Sequence, residues 1–135
     1  MCVVDAYASL TYIWQMSALH TVAETSGSLT DAKAERMTVA GRIALKNALA
    51  ADPERGDMIV GSGGVRKLCV AGRSKGKSGG YRVLTAYVGP EAPVYLLAVL
   101  NKGDRENFTD AEVREFAKLT ASIKVHWQAR RAQPA

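Results

Sequence analysis

The sequence predicts an α+β domain: a small antiparallel sheet with two N-terminal helices and a C-terminal helix packed on it, in the order strand, helix, helix, three strands, helix. Three observations carry this. Apolar residues keep helical spacing early in the chain, shift to β-branched and aromatic runs in the middle, and return to helical spacing in the last third. The connections between the three middle strands are short, which favours an antiparallel meander. At 135 residues with 47% apolar content the chain can build one core. No uninterrupted apolar run reaches the ~18 residues of a membrane span.

Each element has its own signal. "LHTVAET", residues 19–25, alternates apolar and polar residues and reads as a short strand. "SGSLTDAKAERM" offers Ser28 or Thr30 as an N-cap ahead of helix formers. The second helix, "TVAGRIALKNALAADP", starts with Thr38 as N-cap and carries Ile43, Leu45 and Leu49 as its apolar stripe. Pro53 ends it, because proline disfavours the helical state at Asp52. "GDMIVGSGG" reads as a loop and "VRKLCVA" as a strand; "YRVLTAYV" is a strand rich in β-branched and aromatic residues. "VYLLAVL", Val94 to Leu100, is a continuous apolar run suited to a central strand. Thr109 and Glu112 form a capping box for the last helix, with Val113, Phe116, Leu119, Ile123 and Trp127 at helical spacing behind it. The domain is expected over 19–127, with 1–18 an extension of unknown role and 128–135 a frayed tail. With helices on one side of the sheet, the other face is expected to be open.

The net charge of +5 is concentrated. From Met58 to Pro90 there is no acidic residue, while Arg66, Lys67, Arg73, Lys75, Lys77 and Arg82 give that segment +6. The remainder is nearly balanced, with 12 basic and 13 acidic residues. An unmixed basic block points to an anionic partner, against the plainer reading of a solvated face. The first eighteen residues lack a basic start and contain Asp5, so they make a poor secretory signal. Cys2 and Cys69 match no metal or redox spacing, which suggests a cytoplasmic protein with reduced thiols.

"RSKGKSGGYRV", Arg73 to Val83, contains a GKS tripeptide. A phosphate-binding loop would need glycine at residue 71, where alanine stands, and a helix after the lysine, where a strand is predicted. A basic hairpin fits better: glycines turn the chain and the cations are presented at one end of the sheet. Lysine and arginine hold phosphates well, and Tyr81 is placed where it could stack on an unpaired base. Tyr87 reads as an ordinary strand residue.

Taken together, "ALAADPERGDMIVGSGGVRKL", "RSKGKSGGYRV" and "YLLAVLNKGDRENFTDAEVREFAKL" resemble the HigB-like branch of the RelE/ParE toxin superfamily, over about Leu19 to Lys124. The resemblance implies a RelE-like βααβββα fold and a toxin of a type II toxin–antitoxin pair. It implies a ribosome-dependent mRNA endonuclease that works without metal or cofactor and inhibits translation. The partners implied are mRNA, the ribosome and a cognate antitoxin, often with a helix-turn-helix domain. No membrane partner is implied. Such toxins direct the ribose 2′-hydroxyl onto the adjacent phosphate, and fixed cations stabilise the charge that gathers there. On this chain the resemblance makes Lys77 or Lys75 the general base and Arg82 the clamp on the scissile phosphate. Arg73 and Lys102 become supporting cations. Arg66 and Lys67 grip the RNA backbone, although Arg66 reads equally well as a structural contact to its glycine loop.

The chain also departs from that pattern. His126 reads as a surface helix residue, so the general acid is unassigned. Cys69 stands where a polar or basic residue is expected and reads as a small buried thiol. Met16 offers an internal start. Two other readings compete: a ParE-like toxin acting on DNA gyrase, and an inactive nucleic-acid-binding member of the superfamily.

Overall fold

The computed structural model describes residues 19–70, 80–103 and 107–132. It is a mixed α+β fold around one five-stranded sheet. In chain order the elements are β1 (Val22–Glu24), α1 (Ser26–Ala34), α2 (Val39–Ala51), β2 (Asp57–Met58), β3 (Val65–Val70), β4 (Tyr81–Ala86), β5 (Val94–Asn101) and α3 (Asp110–Ala132). The sheet order is β1-β5-β4-β3-β2. The expected meander is β3-β4-β5, and it is antiparallel. Two strands extend it. The segment expected as a plain loop contributes β2, two residues paired to β3, before a turn closed on Ser62. β1 pairs parallel to β5, so the sheet is mixed.

Local chemistry explains the boundaries. α1 starts three residues before the earlier of the two expected caps would place it, because Thr25 is its cap: the Thr25 hydroxyl oxygen accepts from Ser28 N and donates to Leu96 O. One side chain thereby ends β1, starts α1 and ties both to β5. Ser28 and Thr30, the two expected caps, both lie inside the helix, and Ser28 is buried there. Thr38 caps α2 as expected, accepting from Gly41 N at 3.0 Å. The Thr109–Glu112 box also forms, with Thr109 N donating to Glu112 Oε1 and Glu112 N to Thr109 Oγ1. α3 continues to Ala132, into the segment expected to fray.

The core has two parts, one on each face of the sheet. Leu45 and Leu49 of α2, with Ala32 and Met37, pack on Leu68, Tyr81, Val83, Leu96 and Val99. On the other face Val65, Leu84, Ala86, Leu97 and Ala98 are covered by Phe108 and by Phe116 of α3. The second face is therefore not open along its length, because α3 lies across it. Trp127 fixes the far end of α3 by donating Nε1–H to the Tyr95 hydroxyl at 2.8 Å. Thr120 is fully buried on the helix stripe where Leu119 was expected, and its hydroxyl donates to Phe116 O. Leu97 and Ala98 reach the same face because the β4–β5 register shifts between Leu84 and Thr85.

Beyond Leu96 the outer edge of β5 has no strand neighbour among the described residues. α1 supplies one instead: Asp31 Oδ2 accepts from Val99 N and Glu35 Oε1 from Asn101 N, both at 3.1 Å. Carboxylates thus satisfy backbone donors that an exposed edge would leave to another chain.

Candidate nucleic-acid interface

Side chains alternate across a strand, so the register sorts the basic residues by face. Lys67 lies opposite Leu84, and Cys69 opposite Arg82. Leu84 belongs to the α3 side of the core. Lys67, Cys69 and Arg82 therefore share that face, at the end α3 does not cover. Arg82 is held between two partners, Cys69 on β3 and Leu100 on β5. Lys67 Nζ lies 3.5 Å from Asn107 Oδ1, at the approach to α3.

β3 ends and β4 begins at this same end, and residues 71–79 join them. Arg73, Lys75 and Lys77 lie in that segment and fall outside the described residues. Gly80, with φ 118°, leads straight into β4, so a strand follows the GKS tripeptide. Lys102 is set beside the loop's base, because its backbone N donates to Gly80 O.

Two expected RNA contacts stand elsewhere. Tyr81 points to the opposite side of the sheet and is only 5% exposed. Its hydroxyl donates to Glu35 O at 3.1 Å. It is a core residue that anchors α1, and its ring is not offered to a base. Arg66 also lies on the α2 side. Its Nη1 donates to Glu54 O and Gly56 O. It braces the turn after α2, so the structural alternative read from the sequence describes its contacts, with the partner loop one turn earlier than expected. Tyr87 is part-buried against the core and meets His20 edge to face. Burial pushes its hydroxyl pKa up, and Glu54 and Glu91 add to that.

Cys69 is exposed, against the expectation of a buried thiol. Period-two alternation in "VRKLCV" already sets Lys67 and Cys69 together, and only the cross-strand register adds Arg82. Asn107 was not singled out from the sequence; its position just before the capping box was the available signal. His126 is exposed and stacks edge to face on Trp127, as expected of a surface helix residue. Among the described residues no group of His, Cys, Asp and Glu is arranged to hold a metal ion. None of the described helices is long and apolar enough to cross a membrane.

The profile of the RelE toxin of the RelE / RelB toxin-antitoxin system matches residues 44–132. The chain belongs to the RelE toxin family. The match begins inside α2 and spans β2 to α3, so every described residue of the basic face lies within the RelE region. The protein is thus a RelE-type toxin of a toxin–antitoxin system, and an antitoxin is its counterpart.

Proposed function

We propose that this RelE-family toxin is a ribosome-dependent, metal-independent mRNA endonuclease. One observation carries the reading: Lys67 and Arg82 share a sheet face at the base of the loop holding Arg73, Lys75 and Lys77. That stretch of chain contains no carboxylate to offset the cations. A phosphorane-like transition state gathers negative charge, and cations held by strands stabilise it with little reorganisation.

In this reading Lys77 or Lys75 takes the proton of the ribose 2′-hydroxyl. The 2′-oxygen forms a bond to the adjacent phosphorus. The bond to the 5′-oxygen breaks, leaving a cyclic phosphate, and the 5′-oxygen departs with a proton drawn from solvent. Arg82, held by neighbouring strands on both sides, clamps the scissile phosphate. Arg73 and Lys102 support it, and Lys67 with Asn107 grips the incoming backbone.

Mapping RNA ends on programmed ribosomes tests this. Purified toxin should cut the bound message, and Arg82→Ala should lose about 100-fold or more in rate with an unchanged melting temperature. Uncut message, or full toxicity of Arg82→Ala, would overturn the assignment. A loss of DNA supercoiling with translation intact would instead indicate gyrase as the target.

A further inference from the structure

α2 buries Leu45 and Leu49 and turns its opposite side outward. That side consists of Val39, Ala40, Ile43, Ala44 and Asn47, all exposed. Val39 is 66% exposed and Ile43 49%. Ile43, expected in the buried stripe, is part of this outer face. A solvated helix face normally carries charges, and this one has none. Ala40 and Ala44, one turn apart, leave room for a second helix axis to approach closely between the two larger side chains.

The border of the face is basic. Lys33 and Arg36 are exposed at its N-terminal end. Arg42 and Lys46 flank it, and both bond to one carboxylate, Glu24. α2 itself contains no acidic residue. The N-terminal end of the helix adds its own positive field beside Val39.

We infer that the outer face of α2 is the docking surface for an amphipathic helix of the antitoxin, with an apolar stripe bordered by aspartate or glutamate. The apolar strip requires an apolar occupant, which excludes RNA, the other anionic partner. The basic border disfavours a second copy, since each copy would bring like charges to the interface. An acidic amphipathic helix satisfies both. The inference rests on membership of a toxin–antitoxin family and is independent of the nuclease reading, because this face lies across the sheet from Arg82.

The test uses the toxin together with the antitoxin encoded beside it, on Val39→Glu with Ile43→Glu. Both positions are exposed, so the free toxin should melt within a few degrees of wild type. Antitoxin affinity should fall by about 100-fold, as for loss of two central anchors, and coexpressed antitoxin should no longer rescue growth. Toxicity without antitoxin should be unchanged, whatever its molecular target. Lys33→Glu with Arg36→Glu should weaken binding less and flatten its salt dependence. Rescue and affinity equal to wild type in the Val39/Ile43 variant would overturn the inference. So would a wild-type dimer in sedimentation that this variant dissociates, or protection of α2 by residues 1–18 that is lost when they are deleted.

Discussion

Thr85→Val should make the toxin more stable. Thr85 is fully buried in β4, and its Oγ1 has no hydrogen-bond partner among the described residues. A buried hydroxyl without a partner costs about 1–3 kcal/mol. Valine replaces it with a methyl of nearly the same volume and keeps the branch at Cβ, so packing and rotamer freedom are almost unchanged. Residual relaxation around the β4–β5 register shift takes back part of the gain. The net expectation is about 1–2 kcal/mol, or about 3–8 °C in Tm for a domain of this size. Urea unfolding should show a higher midpoint with an unchanged slope. The proposed RNA cleavage should be unaffected, because Thr85 lies on the opposite face from Arg82. A destabilised or neutral variant would mean that the hydroxyl is satisfied in solution, and the reasoning would fail.

Gly64→Ala should cost about 3 kcal/mol, because φ is 129° and a Cβ would meet Tyr87 O at 2.9 Å; chemical denaturation measures it. Glu24 gives a pH dependence. Burial raises its pKa, but hydrogen bonds from Arg42 and Lys46 outweigh that and hold it below the ordinary 4.5. A lowered folded-state pKa contributes stability above the unfolded value that is lost as pH falls through the folded one. Wild type should therefore lose stability below about pH 4.5, and Glu24→Gln should lose less over that range. Arg66→Ala should lower Tm by removing the bonds to Glu54 O and Gly56 O, with cleavage scaling only with folded protein. Lys67→Ala should do the reverse, with stability kept and RNA affinity and its salt slope reduced.

Much of the fold was legible because its signals are local. Thr38, Pro53 and the Thr109–Glu112 box act within a few residues, and the structure follows each. Residues were misplaced where the deciding contact is distant. Thr25 is chosen over Ser28 as a cap by Leu96, and Ile43 is turned outward by the way Leu45 and Leu49 meet the sheet. β1 was legible from the alternation in residues 19–25 but its parallel pairing to β5 was not, and β2 is too short to carry a pattern and is a strand because β3 offers an edge. The candidate site divides in the same way. Charge patterning found the basic block, but faces depend on register, which separates Arg66 and Tyr81 from Lys67 and Arg82. Tyr81 looked like a stacking residue because nothing nearby in sequence reveals that Glu35 takes its hydroxyl.

The parallel pairing of β1 with β5 sets a timetable for synthesis. Residues 20 to 35 make a run of bonds to residues 92 to 101: His20 to Ala92, Thr25 to Leu96, Asp31 to Val99 and Glu35 to Asn101. A growing chain that has not reached Val94 lacks the strand to which β1 pairs and the edge that α1 caps. Contacts this far apart close slowly. The strand that steadies Arg82 from the other side is β5 as well. The toxin is therefore assembled late in its own translation, and a nascent chain arrested before residue 94 should stay open to protease and harmless.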